Sequence, residues 1–595
     1  MLVDFIRDLV PILSRGKTAL TATTGMNTSR STEVRHTTLI FVRNLGVATP
    51  FLGISLLLGF AQAWANRFYM GNDGISYLDM AGACLRGDWH AAINGSWNPL
   101  YAWLIGLEFF VLHPSAYWEY PAVQALNFVI YVIALVSFQY FLSALKLDEA
   151  EQSWKFHAIA YAIFLWSALI LIRVDTVNAD MLVAASFYAA SGALLRAANY
   201  KNQAAVANSG ILGLWLAIGY YSKAAMFPLS LILLFIAWIE LKWRYALIAS
   251  VVFCLLSAPL IVALSDVTGH LTIGDTGRLN YSWYVNGVAL RWWQGGPEKA
   301  GQPLHPPRIL LDSPRVYEFG GVFPQVTYPM WYDFAYWYQG LRVWIDPLRL
   351  LDAIRANLKV FLKFLILEGG GFLLGWLACF LFAQKKKKVL HYFVSTWIVW
   401  APSLSAVILY SAVYIEPRYI GAFMSILLIA GFAAVPMDWK PLSYLVSTIG
   451  LLWAICFSSI APHLYHAPWQ FTPVNASWIV ADNLEKLGLH PNEQVASVCY
   501  SNRQNVLWAR LAKAHIVAET DWNVDFWQLS ANDQRRVLAA EASTGAVFAV
   551  SDTSPPDPSK EVGWERIGNT NFSVYSLANL KKSATHSDNT ETNRH

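Results

Sequence analysis

The segment Asn72-Asp73-Gly74-Ile75-Ser76-Tyr77-Leu78-Asp79 comes directly after the apolar run 46–64. A carboxylate placed there is dry enough to be tuned and wet enough to be reached. Asp73 is therefore the first candidate for a general base at a membrane surface. Further ionisable groups recur at the ends of apolar runs. They are Asp88 and His90 in Gly87-Asp88-Trp89-His90, Asp175 and Asp180 around Asn178-Ala179-Asp180, Lys223 in Tyr220-Tyr221-Ser222-Lys223, and Glu416 and Arg418 in Glu416-Pro417-Arg418-Tyr419. Two carboxylates with a lysine and an arginine suit an anionic substrate whose reaction needs a base. Arginine offers phosphate oxygens a planar fork, and lysine adds a point charge. Each residue also has a plainer reading. Asp79 fits a charge on a helix surface, Asp88 a helix cap, and Asp175 a solvated loop acid. Lys223 could snorkel to the interface, and Glu416 could simply pair with Arg418. No His, Cys or Asp spacing matches a metal cage.

These residues need a membrane framework. The chain has 595 residues, 56% of them hydrophobic and 14% charged, against about 25% charged in soluble domains. That composition is an integral membrane protein's. The net charge of +4 is small and spread out, so the basic residues read as topology signals and nucleic acid is not a partner. Five scattered cysteines form no disulfide framework. Runs of about 20 apolar residues place spans at 46–66, 121–145, 155–174, 180–199, 206–222, 224–240, 244–265, 357–383, 388–412, 417–437 and 441–461. Lys385-Lys386-Lys387-Lys388 marks a cytoplasmic loop. Counting from it puts 67–120, 266–356 and everything past 462 outside, provided that 97–113 is interfacial or re-entrant. The pair 206–222 and 224–240 is the weakest link in that count.

The expected fold class is thus an all-α polytopic membrane protein of about 11 transmembrane helices, with a small C-terminal α/β domain in the periplasm. Residues 1–45 form a basic cytoplasmic tail, 46–461 the membrane domain, 470–580 the α/β domain and 581–595 a disordered end. Loop 266–356 is loaded with Trp and Tyr and reads as an ordered cover over a site. The α/β tail has no Gly-rich phosphate fingerprint.

Asp73-Gly74-Ile75-Ser76-Tyr77-Leu78-Asp79, Gly87-Asp88-Trp89, Asn94-Gly95-Ser96-Trp97-Asn98-Pro99-Leu100-Tyr101, Asn178-Ala179-Asp180, Gly219-Tyr220-Tyr221-Ser222-Lys223 and Arg418-Tyr419 follow one another in a fixed order. The series resembles the C-type (GT-C) polyprenyl-phosphate-sugar glycosyltransferases. That superfamily includes lipid A aminoarabinose transferases and protein O-mannosyltransferases. The resemblance covers about residues 46–461. It implies that Asp73 and Asp180 are catalytic, that Lys223 and Arg418 hold the donor phosphate, and that Tyr77, Asp79, Trp97 and Tyr419 contact substrate. The pattern's usual Asp-Glu reads Asp73-Gly74 here, which deprives a divalent metal of one carboxylate; no cofactor is assigned. The implied partners are a polyprenyl-phosphate sugar donor, a glycan, lipid or protein acceptor, and the bilayer. The implied location is a bacterial inner membrane, N-terminus in the cytoplasm and C-terminus in the periplasm. The rival readings are an O-antigen ligase or polymerase-like enzyme with a lipid diphosphate donor, and a lipid or polysaccharide flippase.

Overall fold

The computed structural model describes residues 48–71, 73–145, 153–319, 321–367, 369–382, 386–435, 476–498, 506–555, 563–578 and 580. The chain divides into two compact units, Met1–Thr49 and Pro50–His595. Only residues 48 and 49 of the first unit are described, so the expected N-terminal tail lies outside the described residues, as do the expected span 441–461 and the end 581–595.

Six described helices are long and apolar enough to cross a bilayer: Ala48–Ala65, Ala116–Leu142, Trp154–Ile172, Asp180–Asn199, Asn202–Ser222 and Trp243–Thr268. Two bent pairs bring the number to eight if each counts as one span. Leu100–Leu112, Met226–Glu240 and Pro417–Ala433 are apolar but shorter. A 13-residue helix such as Leu100–Leu112 rises only about 20 Å, well short of a hydrocarbon core of about 30 Å. The described residues therefore give six to eight spans by length and composition, where the apolar runs led us to expect eleven. Stretch 357–383 is not one straight span. The chain bends by 73° between Pro347–Leu367 and Gly370–Leu381, at the run Gly369-Gly370-Gly371, whose residues tolerate backbone geometry that others resist. Stretch 388–412 bends by the same angle around Thr396, where the Trp400 indole donates to the Phe393 carbonyl.

Small residues set the helix packing. Asp180–Asn199 is buried along most of its length and carries Ala184, Ala185, Ser186, Ala189, Ala190, Ser191, Gly192 and Ala193. A Cβ at Gly192 would sit 2.7 Å from the Tyr140 ring, and one at Gly213 would overlap the Ala249 carbonyl. Close backbone approach of this kind drives helix association where lipid removes the hydrophobic incentive.

A mixed seven-stranded sheet completes the fold, in the order β1-β2-β4-β3-β5-β7-β6. β3 (Gln494–Val498), β4 (His515–Thr520), β5 (Phe548–Ser551), β6 (Trp564–Arg566) and β7 (Ser573–Ser576) come from the C-terminal stretch. β3 pairs in parallel with both β4 and β5. The Ala531–Ser543 helix lays Val537, Leu538 and Ala542 against Ala496, Val498, Ala518 and Ala549 of the sheet. The other two strands come from the long loop: β1 (Arg308–Asp312) and β2 (Arg315–Glu318) form a hairpin whose second strand pairs with β4. Loop 266–356 is thus built into the α/β sheet, and Ile516 N–H donates to the Thr327 carbonyl at 3.0 Å just beyond the hairpin. This stitching carries residues 326–338 back against the Asp73–Leu85 helix and the loop after it, where Thr327 donates to Asp79, the Trp331 carbonyl accepts from Ser76 and the Tyr332 carbonyl accepts from Asn94.

Candidate active site

Four elements end at one cavity of about 480 Å³. Asp73 opens the Asp73–Leu85 helix and Asp180 opens Asp180–Asn199. A helix N-terminus favours a carboxylate there. Lys223 caps the C-terminus of Asn202–Ser222. Arg418 follows Pro417, which starts the Pro417–Ala433 helix where a missing N–H costs nothing.

The charged groups lock together. Arg418 Nη1 donates to Asp73 Oδ2 at 3.1 Å, and its Nε donates to Glu416 at 2.7 Å and lies 3.8 Å from Asp180 Oδ2. Lys223 Nζ donates to Asp180 Oδ1 at 2.5 Å and sits 3.6 Å from the centre of the Tyr419 ring. Glu416 also accepts from the Tyr414 hydroxyl at 2.6 Å. Burial pulls the Lys223 ammonium below the usual lysine range; Asp180 opposes that shift and Arg418 adds to it. Burial, with Asp73 and Asp180 nearby, raises the Tyr77 phenol, so it stays a neutral donor. Asp180 Oδ2 is buried without a hydrogen-bond partner among the described residues, an acceptor turned toward the cavity's cations.

Aromatic and amide groups form the walls. Tyr77, Trp97 and Tyr419 line the cavity together with Asn98, Trp283, Tyr284, Trp331 and Tyr410. Trp331 comes from the long loop. Its Nε1 lies 3.4 Å from Asp73 Oδ1, and its carbonyl accepts from Ser76 at 2.9 Å and from Trp97 Nε1 at 3.3 Å. Tyr284 stacks flat on Tyr414 at 3.9 Å. Sequence reasoning noted Trp331 and Tyr284 only as part of an aromatic loop. No local signal marks them, because the hairpin that delivers the loop pairs with a strand some 200 residues on. Among the described residues no group of three His, Cys, Asp or Glu side chains is arranged to hold a metal ion.

The structure brings Asp73, Tyr77, Trp97, Asp180, Lys223, Arg418 and Tyr419 together in this cavity. Asp79 is the exception: it does not line the cavity. It is 2% exposed and accepts from Thr327 N–H (2.9 Å), Thr327 Oγ1 (2.8 Å) and Arg510 Nη1 (3.2 Å). At about 100° per residue, six positions carry it some 120° round the helix from Asp73, whereas Tyr77 stays within about 40°. Of the other acids, Asp88 takes its plainer capping role and Asp175 does not. Asp88 accepts from Ala91 N–H at 3.1 Å, and Asp175 pairs with Arg173 at 2.6 Å but is fully buried rather than solvated. A wider cleft of about 810 Å³ lies against Trp478, Asp482, Glu485, His490 and Lys513. Its charges sit at the rim, Asp482 being 60% exposed and paired with Lys486.

No protein-family model matches the sequence, and no curated protein matches it. Among solved structures the chain is similar to ArnT from Cupriavidus metallidurans in the apo state, with a TM-score of 0.52 and 11% identity over 90% of this chain and 98% of that one. It is also similar to the same protein bound to undecaprenyl phosphate, with a TM-score of 0.50, 11% identity and the same coverage. An identity of 11% speaks for the fold alone: this chain shares the fold of that ArnT structure, and six to eight of its described helices or bent helix pairs are long and apolar enough to cross a membrane.

Proposed function

We propose that the chain is a membrane glycosyltransferase that moves a sugar from a polyprenyl-phosphate carrier to an acceptor at the outer face of a bacterial inner membrane. The observation that carries this reading is the Arg418 bridge. One guanidinium spans Asp73 and Glu416 and approaches the Asp180–Lys223 pair, all inside one aromatic-walled cavity. Such a site fits a phosphate and a base at once. An incoming donor phosphate competes with Asp73 for Arg418, because the guanidinium fork matches phosphate oxygens as it does carboxylate oxygens. Arg418 and Lys223 then neutralise the leaving lipid phosphate, and the released Asp73 carboxylate takes the proton of the acceptor hydroxyl or amine. The reaction is a single displacement with inversion. Asp180 holds Lys223 in place, and Trp97, Tyr284 and Trp331 present flat faces to the sugar. The α/β region lies on the periplasmic side and carries the loop that brings in Trp331. ArnT's structure with undecaprenyl phosphate supports the donor class.

The test is transfer of labelled sugar by the purified full chain, offered a polyprenyl monophosphate sugar or a polyprenyl diphosphate sugar. Turnover of the monophosphate with an inverted product supports the proposal. Turnover of the diphosphate alone would mark a ligase-like enzyme. Carrier movement across proteoliposomes with no transfer would mark a flippase.

A further inference from the structure

Pro347–Leu367 carries a feature the cavity does not use. Arg349, Asp352, Arg355, Lys359 and Lys363 recur every three to four residues, which places them on one stripe of a helix with 3.6 residues per turn. All five are exposed. The face that packs on the protein is another one. Asn357 is its only buried residue and donates to the Ser411 carbonyl at 3.0 Å, while Leu350, Ile354, Phe361 and Phe364 on the same side are half-buried. Between stripe and packed face runs an exposed leucine flank: Leu351, Leu358 and Leu362. Between Arg349 and Lys363 the protein contacts, the exposed leucines and the charges thus take mostly separate sides of the helix, while exposed Leu348 and Ile366 join the charged side at its two ends.

That division is an interfacial helix's, not a span's. From Arg349 to Lys363 the helix rises about 21 Å, so a helix crossing the bilayer would carry several of these charges into hydrocarbon. It also bends by 73° away from the apolar Gly370–Leu381 helix, as a helix near the membrane plane would. Its N-terminal end is fixed next to the cavity, two residues beyond the lining residue Tyr284, where Arg349 Nη1 donates to the Asn286 carbonyl at 2.5 Å. Arg349 and Arg355 have acidic neighbours, Asp346 at 3.6 Å and Asp352 at 3.2 Å. No carboxylate among the described residues pairs with Lys359 or Lys363. The stripe holds four cations and one acid.

We infer that Pro347–Leu367 lies in the membrane interface and binds the phosphate head groups of anionic phospholipids through Arg355, Lys359 and Lys363. The leucine flank sits among the acyl chains beneath them. The complementarity is of charge and depth together: an excess of cations beside exposed apolar side chains, which a bilayer carrying anionic lipid satisfies at once. Arg349 ties the lipid-bound helix to the Ser282–Asn286 turn, which carries the cavity residues Trp283 and Tyr284.

The test reconstitutes the full chain in nanodiscs of phosphatidylcholine, with or without a minority of phosphatidylglycerol, and follows hydrogen exchange peptide by peptide. Exchange in residues 347–367 should slow by about tenfold when phosphatidylglycerol is present. The R355Q/K359Q/K363Q variant should lose that response, and the charge-conserving K359R/K363R variant should keep it. Exchange equal in the two lipid mixtures overturns the proposal even if the glutamine variant does not fold, because the wild-type chain alone supplies that comparison. A response that survives in a folded glutamine variant also overturns it. So does equal slowing by inorganic phosphate in pure phosphatidylcholine, which would mark a soluble-anion site.

Discussion

Two arginines here each face more than one carboxylate, and their settings are opposite. Arg510 reaches Asp79 at 3.2 Å and Glu119 at 3.1 Å. Both Asp79 oxygens have partners, and both Glu119 oxygens accept from the same guanidinium. Nothing is left over for a ligand. Arg418 also bridges acids, but its cluster borders a cavity, and Asp180 keeps a buried oxygen without a hydrogen bond. A saturated network fixes structure, whereas an unsaturated one beside a void holds strength in reserve for what enters. Asp73 and Asp79 belong to one helix, about one and two-thirds turns apart, so orientation rather than residue type separates the two roles.

The contrast breaks most decisively at Asp73. Asp73→Asn keeps the shape and removes the carboxylate. Sugar transfer should fall by about 10²–10⁴, while thermal stability stays close to wild type. Polyprenyl-phosphate binding should hold or tighten, because Arg418 loses a competing anion. Arg418→Ala should act on donor affinity first, and added donor should restore only part of the rate. Transfer at the wild-type rate by Asp73→Asn would remove Asp73 as the base and leave Asp180 as the next candidate.

At Arg510 the loss should be in stability. Arg510→Ala strands Asp79, whose carboxyl burial already pushes above the usual range even though Arg510 and Thr327 pull it down. Breaking a buried pair costs about 3–5 kcal/mol, to be read as a drop in unfolding temperature of the detergent-solubilised chain. Any fall in transfer should track the folded fraction. A stable Arg510→Ala protein with lost transfer would instead couple this cluster to the chemistry.

Much of this contrast is legible in the sequence. The acids and bases at the ends of apolar runs are visible as such, and the helical period already turns Asp79 away from Asp73 and Tyr77. The break in 357–383 is foreshadowed by Gly369-Gly370-Gly371 and by the charge stripe that precedes it, both of which an apolar-run count passes over. The turn after Ser222 likewise shows two helices where the sequence left a doubtful pair. The β1–β2 hairpin is a different matter. Its strands have five and four residues, too short for a period to stand out, and their stability comes from pairing with β4 and from Val316 in the sheet's core. Trp331 depends on that distant pairing, so its place beside Asp73 could not be read locally.

A third comparison uses pH. Burial raises the Glu541 carboxyl to about 8 and the Glu519 carboxyl to about 7. A carboxyl whose folded pKa lies above its unfolded value of about 4.3 binds its proton more tightly when folded. Its contribution to stability is present below the unfolded pKa and is lost as pH rises through the folded one. Stability should therefore decline between about pH 4.3 and pH 8 by up to about 1.4 kcal/mol per pH unit for each such group. Glu541→Gln should flatten that slope in urea titrations run across the window. An unchanged slope would place the pH dependence elsewhere, the Arg418 cluster included.

The smallest expected effect is the sharpest probe of how the two clusters meet. Trp331 is the residue through which the stitched loop touches the cavity: its Nε1 lies 3.4 Å from Asp73 Oδ1, and its carbonyl ties down Ser76 and Trp97. Trp331→Phe removes the indole donor and keeps an aromatic face and the backbone carbonyl. A single long hydrogen bond to a partly exposed carboxylate contributes about 1 kcal/mol, so transfer should fall by no more than about fivefold. Because that bond holds the carboxylate before the proton arrives, the loss should appear in kcat with donor KM little changed. Trp331→Ala also removes the stacking face, and donor KM should then rise. If Trp331→Phe instead matches Asp73→Asn in its loss, the indole does more than steady the carboxylate, and the line between the positioning network and the reacting cluster must be redrawn to include the loop.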